Sequence, residues 1–126
     1  MKLKFQSSNN DTDLVEFEAQ YISENNKIIF DDLSIENTKI IIDILDEFNV
    51  NFKRVGNINM DILFSLNNDK IASYSNNLGV SFDFNVFTNK LVIKNDQIIV
   101  EYESNIMDFK QKHKIFIDLN NYLLEK

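Results

Sequence analysis

A strict alternation of apolar and polar residues is the feature that most limits the folds open to this chain. In its clearest instance, apolar Val80, Phe82, Phe84 and Val86 alternate with polar residues. Successive side chains of a β-strand point to opposite faces, so this period of two predicts strands with one face buried. The alternating segments are Val15–Tyr21, Ile58–Leu66, Val80–Val86, Ile98–Tyr102 and Ile115–Leu119.

Short signals rich in Asn and Asp separate these segments, at 9–11, 24–26, 56–57, 67–69, 76–77 and 95–96. Asn and Asp tolerate the left-handed backbone conformation and bond their own backbone, so they can form turns where a chain has little glycine. The 95–96 pair lies between two apolar runs and predicts a tight hairpin. Because gaps of this length are too short for parallel crossovers, the pattern favours an antiparallel sandwich or barrel.

Two segments stay open at this stage. Thr38–Asn49 has apolar residues at helical spacing, with Thr38 as a candidate N-cap, yet it is rich in Ile, whose branched Cβ favours strands. Residues 120–126 fit either a last strand or a single helical turn.

The composition excludes several kinds of chemistry and suggests one domain over residues 1–126. A chain without Cys has no disulfide, thiolate zinc site or cysteine nucleophile. The formal net charge of −7 argues against non-specific nucleic-acid binding, because such binding depends on basic residues that neutralise the phosphates. The longest aliphatic run, Ile40–Ile42, is far too short for a signal peptide or a membrane span. We therefore expect a cytoplasmic protein without a nucleic-acid or membrane partner.

A family resemblance rests on the residues around the two glycines. Arg54-Val55-Gly56 follows one strand, while Tyr74 and Gly79 lead into the alternating strand that ends in Thr88-Asn89-Lys90-Leu91. In order and spacing these motifs resemble the YwiB-like family of uncharacterised bacterial proteins, and the resemblance extends over nearly the whole chain.

The resemblance implies a bacterial, all-β protein. Its fold would be an antiparallel lipocalin-like (calycin-like) β-barrel of about 8–10 strands with little or no helix. Residues 38–45 and 50–55 would form a hairpin, which favours strands over the helix that periodicity allows. The apolar residues Ile106, Met107 and Phe109 depart from the family's polar hairpin and leave the register near 107 open. The resemblance supplies no biochemical activity.

The favoured function is non-enzymatic binding of a small apolar or amphipathic ligand inside the barrel. The predicted ligand-binding residues are apolar wall residues and polar contacts on the same strand faces: Met60, Phe64, Phe82 and Phe84, with Arg54, Tyr74 and Thr88. Each has a structural alternative. The phenylalanines would simply fill the interior, Arg54 would bond backbone carbonyls as a plug, and Tyr74 and Thr88 would bond neighbouring groups.

The alternative function is a protein-interaction or oligomerisation module, in a homodimer or with another protein, with a filled barrel and outward Leu63, Phe87 and Phe116 at the contact. No catalytic residue, cofactor or metal site is predicted. His113 is the single histidine and is interpreted as an edge or rim residue. The Asp31-Asp32 pair is interpreted as solvated turn charge.

Overall fold

The chain forms a closed barrel of antiparallel strands. The structure is a computed structural model that describes residues 1–10 and 13–119, so the segment 120–126 lies outside the described residues. Within the described part, the strands are β1 (Lys2–Asn9), β2 (Asp13–Glu24), β3 (Lys27–Asp31), β4 (Thr38–Asp46), β5 (Asn49–Gly56), β6 (Ile58–Ser65), β7 (Asp69–Asn76), β8 (Ser81–Ile93), β9 (Gln97–Ile106) and β10 (Phe109–Asp118).

Each strand pairs with its neighbours in sequence, and β1 pairs with β10 to close the barrel. The predicted all-β antiparallel barrel is confirmed, and the lipocalin-like description is consistent with this topology. Among the described residues there is no helix of the length and hydropathy needed to cross a bilayer.

The period-two pattern sorts side chains between the barrel interior and its outer surface. In β8, Phe84 and Val86 are buried while Asp83 and Asn85 are exposed, as the alternation predicts. Burying such side chains contributes roughly 1.5–3 kcal/mol each relative to leaving them in water. A register slip of one residue would expose the whole row, so the pattern itself fixes the pairing.

The segment that sequence periodicity left open is a hairpin. Residues 38–46 and 49–56 form β4 and β5, which pair directly. Ile40 and Ile42 point inward and are 0% and 1% exposed. The Ile-rich stretch therefore forms the buried face of a strand and not the face of a helix. Asp46 shapes the turn by accepting hydrogen bonds from the Phe48 backbone N–H and the Asn49 amide.

A bulge explains the Thr-x-x-Leu spacing at the end of β8. The register with β9 shifts between Thr88 and Lys90, so one extra residue is inserted on β8. An extra residue reverses the inward-outward alternation. Thr88 and Leu91 can therefore both be buried although they are three positions apart.

Asparagine supplies most of the left-handed backbone at the turns. Positive φ occurs at Asn10, Asn25, Asn26, Asn37 and Asn67, and at the Met107-Asp108 pair. Two consecutive positive φ values are typical of the tight hairpin turns whose twist matches the flanking strands. Ile106 pairs with Phe109 across the Met107-Asp108 turn, so the register that the family pattern left open is regular.

Because neighbouring strands run in opposite directions, the loops are divided between two ends of the barrel, and these ends differ in how their interiors are filled. We call the end where β1 begins the packed end, because its interior is filled by apolar side chains that are at most 8% exposed: Leu3, Ile28, Ile42, Val50, Phe64, Leu91, Ile98 and Ile117. The opposite end, at the loops that follow β1, β3, β5, β7 and β9, is called the cavity end.

Candidate functional site

A half-enclosed cavity of about 220 Å³ occupies the barrel interior at the cavity end. It is lined mainly by apolar and aromatic side chains, together with a few polar groups: Met60, Ile62, Tyr74, Phe82, Phe84, Tyr102, Ser104, Ile106, Gln111 and His113. Apolar walls with a small number of convergent polar groups are typical of small-molecule sites.

Stacked aromatic rings form one wall of this cavity. Tyr74 and Phe82 face each other across β7 and β8, with ring centroids 4.9 Å apart and planes inclined by 23°. Phe84 extends the wall, its ring 6.0 Å from that of Phe82. The Tyr74 hydroxyl accepts a hydrogen bond from the Asn76 amide at 3.4 Å, which holds the phenol at the mouth.

An ion pair lies beside the cavity. The Arg54 Nε donates to Asp32 Oδ2 at 2.9 Å, and the Asp32 side chain is completely buried. Asp32 also accepts hydrogen bonds from the backbone N–H and the hydroxyl of Ser34. The guanidinium lies 5.2 Å from the centre of the Phe52 ring, and its Nη1 is 3.8 Å from the Met60 sulfur. Arg54 thus borders the cavity through Met60.

Gly56 allows the loop carrying Asp32 to reach Arg54. Its φ is +145°, and a Cβ placed there would stand 1.9 Å from the Asn37 carbonyl oxygen. The backbone of β5 therefore packs directly against the end of the β3–β4 loop, where the Asn57 N–H donates to the same oxygen at 3.2 Å. Only glycine permits so close an approach.

Tyr102 forms the boundary between the cavity and the packed interior. Its ring lies 4.7 Å from Phe64 on one side and 4.6 Å from the His113 imidazole on the other. Burial raises the pKa of Tyr102 from its usual 10.0 to about 12, while the positive charge of Arg54 opposes this shift. The phenol is therefore protonated, and available as a donor, over the physiological range.

A chain of hydrogen bonds crosses three adjacent strands at the same depth. The His113 Nδ1 lies 2.6 Å from Asn9 Oδ1, and its Nε2 lies 2.6 Å from the Ser104 hydroxyl. Burial lowers the pKa of His113 below its usual 6.5. The imidazole therefore presents its neutral form to the cavity at pH 7.

Comparison with known proteins places the chain in a family. A family model described as a domain of unknown function (DUF1934) matches residues 2–117. The chain belongs to this family. A search of curated proteins finds no match.

A solved structure agrees with this assignment. The crystal structure of the ywiB protein from Bacillus subtilis matches with a TM-score of 0.64 and 17% identity, covering 93% of this chain and 89% of that one. At that identity the likeness shows the fold. Together with the family match, it confirms the resemblance to YwiB-like proteins.

In this DUF1934 barrel, four of the seven predicted ligand-binding residues line the cavity: Met60, Tyr74, Phe82 and Phe84. Phe64 lies behind Tyr102 and is fully buried. Arg54 is next to the cavity without being one of its lining residues. Thr88 is fully buried opposite Tyr102. It was predicted either to face a cavity or to bond a neighbouring carbonyl, but it is not among the cavity residues and its hydroxyl has no hydrogen-bond partner.

Other interpretations of polar residues are corrected by the geometry. Asp32 is 2% exposed and paired with Arg54, so it is not solvated turn charge. Arg54 binds a carboxylate rather than plugging the barrel through backbone carbonyls. His113, interpreted as an edge or rim residue, is half-buried, stacks on Tyr102 and lines the cavity. Leu63, Phe87 and Phe116, the predicted contact residues, are half-buried on the outer surface.

The cavity residues that sequence reasoning missed follow from the same alternation that predicted the strands. Tyr102, Ser104 and Ile106 continue the inward row that Ile98 and Val100 begin on β9. On β10, Gln111 and His113 continue the row of Ile115 and Ile117. Polar residues on the inward face of two paired strands were therefore the available signal.

Larger hollows lie on the outside of the barrel. One of about 610 Å³ is bounded by the β3–β4 loop, and another of about 550 Å³ lies along β7 to β10 near Asn105. Both are lined by polar and charged residues together with apolar ones, and both lie outside the barrel core. Over residues 1–10 and 13–119, no group of three or more His, Cys, Asp or Glu is placed to hold a metal ion.

Proposed function

We propose that this protein binds a small apolar or amphipathic molecule in the cavity end of its barrel. The observation that carries the proposal is the half-enclosed, aromatic-walled cavity of about 220 Å³. Apolar surface that stays in contact with water is costly, so a molecule that covers it gains roughly 25 cal/mol per Å² of its own apolar area.

The size of the cavity limits the ligand. An engineered apolar cavity of about 150 Å³ takes benzene, whereas drug-sized sites begin near 300 Å³. A cavity of about 220 Å³ therefore suits one or two fused rings or a short acyl chain. The polar groups of Tyr102, Gln111 and Ser104 face the same space, so a ligand with one hydroxyl or carboxyl group fits best.

The test is a titration with 1-naphthol, followed by its fluorescence, with octanoate as a competitor. We expect saturable binding that octanoate displaces. Ile106→Trp places an indole in the cavity and should abolish binding. Ile71→Trp is the matched control, because Ile71 is 74% exposed on the outer surface, and it should bind as the parent does. Equal binding by both variants, or none by the parent, would overturn the proposal.

Self-association is a second candidate function, favoured by one observation. Large apolar side chains are exposed around the mouth of the cavity end: Leu14, Leu33, Val55, Leu78, Val80, Met107 and Phe109. A second copy of the chain could cover this ring through a twofold contact. Light scattering should then show a dimer that Met107→Asp with Phe109→Asp dissociates, and a parent monomer at all concentrations would count against it. The cytoplasmic location stays a prediction that cell fractionation would test.

A further inference from the structure

The hydrogen-bond chain at the cavity has an order that fixes where its protons lie. An amide oxygen only accepts, so the 2.6 Å contact between Asn9 Oδ1 and His113 Nδ1 requires the proton on Nδ1. In the neutral ring, Nε2 is then unprotonated and accepts the Ser104 hydroxyl proton across the other 2.6 Å contact. Because this proton is directed at His113 Nε2, the lone pairs of Ser104 Oγ are available to a molecule in the cavity.

The strand register explains why these groups meet. Asn9 is directly opposite His113 in the β1–β10 pairing, and His113 is directly opposite Tyr102 in the β10–β9 pairing. Ser104 lies two residues beyond Tyr102, so it is the diagonal neighbour of His113 on the inward face. The barrel framework thus holds the three groups on rigid, paired strands.

The cavity gives a small molecule access to the hydroxyl. Ser104 and His113 both line it, although the Ser104 residue as a whole is only 4% exposed. Gln111 is directly opposite Ser104 in the register and lines the same space. Its carboxamide is a donor of the kind that stabilises a developing oxyanion.

We propose that Ser104 is a nucleophile that accepts the acyl group of a small ester bound in the cavity. His113 acts as its general base, and Asn9 is a positioning residue that holds the imidazole in the required tautomer. A nucleophile bonded to a base, which is itself oriented by a third group, is the arrangement that activates serine. The assignment rests on the proposed function, because the ester must enter the same cavity.

The acyl transfer balances with the groups present. As the bond between Ser104 Oγ and the ester carbonyl carbon forms, the hydroxyl proton moves to His113 Nε2. The carbon–oxygen bond to the alcohol then breaks, and the leaving oxygen takes the proton from the imidazolium. Water repeats the sequence on the acyl-serine, which releases the carboxylic acid and restores Ser104.

The environment of His113 predicts slow turnover. Asn9 orients the imidazole without supplying the negative charge that a carboxylate would place beside the imidazolium. The Tyr102 ring stacks on His113 at 4.6 Å and stabilises the cation through its π-face. Because the same base serves both steps and an activated aryl oxide leaves more readily than the serine alkoxide, we expect an activated aryl ester to give a stoichiometric burst of leaving-group release followed by slow hydrolysis.

The experiment is a reaction with p-nitrophenyl butyrate, followed by p-nitrophenolate release and by intact mass. We expect a burst close to one equivalent and an added butyryl group that peptide mapping assigns to Ser104. Ser104→Ala should lose the burst and the adduct. The matched control is Ser23→Ala, since Ser23 is exposed on β2, and it should react as the parent does.

The roles of the other two residues have separate readouts. His113→Gln should slow acylation by 100-fold or more, which is the usual size of general-base catalysis. Asn9→Leu should slow it as well, whereas Asn9→Asp keeps the acceptor and should restore the rate. A merely structural Asn9 would not give rescue by Asp together with loss by Leu when both variants unfold at the same urea concentration.

Failure of this inference differs from failure of the proposed function. If 1-naphthol binds but Ser104 carries no adduct above the Ser104→Ala background, the nucleophile is excluded and ligand binding stands. If neither 1-naphthol nor the ester engages the cavity, both proposals are overturned. An adduct on surface lysines alone, unchanged in Ser104→Ala, also overturns the nucleophile.

Discussion

The two ends of the barrel are built from the same strands yet hold different interiors. At the packed end, Leu3, Ile98 and Ile117 are at most 1% exposed and meet in an apolar core. At the cavity end, the inward positions of the same strands carry Asn9, Ser104 and His113, which bond one another. The inward-outward alternation of side chains is the same at both ends. It therefore determines which residues face the interior, whereas the residue types at those positions determine whether the interior is an apolar core or a polar cavity.

The difference shows how a barrel accommodates buried polar groups. A buried polar group without a partner costs free energy, and a buried charge costs more. At the cavity end, Asp32 finds Arg54, and the imidazole finds a donor and an acceptor on neighbouring strands. The carboxylate and the imidazole are thereby satisfied while room remains for a ligand, whereas the buried Thr88 hydroxyl has no hydrogen-bond partner.

The largest expected effect separates the two ends by their packing. Phe64 is fully buried between Phe52 and Tyr102, so Phe64→Ala should lower the free energy of unfolding by about 3–5 kcal/mol. Phe82 lines the cavity and is partly exposed, so Phe82→Ala should lower it by about 2 kcal/mol or less. Urea titration measures both variants, and equal losses would contradict the distinction between the ends.

The next effect concerns the ion pair beside the cavity. Asp32→Ala leaves the Arg54 guanidinium, whose side chain is 17% exposed, without its counter-charge, so we expect a loss of about 3 kcal/mol. The matched control is Lys39→Met, which breaks the exposed pair with Asp31 and should cost about 1 kcal/mol or less. The double change Asp32→Asn with Arg54→Met should be less destabilising than Asp32→Ala; a larger loss would argue against pairing as the cause.

The two glycines at the cavity end provide a smaller, internally controlled comparison. Gly56→Ala introduces a Cβ 1.9 Å from the Asn37 oxygen at positive φ, so we expect a loss of about 2 kcal/mol or more. Gly79→Ala has positive φ with no atom within 4 Å, and backbone strain alone should cost about 1 kcal/mol. Thermal denaturation orders the pair, and the reverse order would refute the close approach of the β3–β4 loop.

The smallest effect is the pH dependence that His113 adds. Its folded pKa is lowered, so the unfolded state takes up the proton first as the pH falls. The resulting stabilisation is present above the unfolded pKa of 6.5 and is lost as the pH falls from there toward the folded value. The urea midpoint should therefore decrease more between pH 7.5 and pH 5.5 in the parent than in His113→Gln.

Since the chain has a single histidine, its ring resonances report the titration directly. An NMR midpoint at or above 6.5 would exclude the buried setting of the imidazole, whatever the urea series shows.

Much of the fold followed from the sequence because alternation and turn chemistry are local. The inward row of Phe82 and Phe84 and the turns at Asn25-Asn26 and Asn67 are visible without any partner strand. The hairpin at 38–56 was not decided by periodicity, since Ile at helical spacing also fills a strand face. It took the family resemblance to favour strands there.

The site was harder to predict because it depends on which strands become neighbours. Nothing local shows that Asn9 lies opposite His113, since 104 residues separate them and only barrel closure pairs β1 with β10. Asp32 likewise became a buried ion-pair partner because Gly56 lets its loop approach Arg54. Apolar wall residues such as Met60 and Phe82 were predictable, because strand parity alone places them inside.

The most direct test of a barrel filled at one end and open to a ligand at the other is a methyl NMR titration with 1-naphthol. We expect shift changes confined to the methyl groups of Met60, Ile62 and Ile106, which line the cavity. The methyl groups of Leu3, Ile98 and Ile117 at the packed end should not move. Absence of any shift, or shifts spread equally over both ends and exposed Ile71, would contradict it.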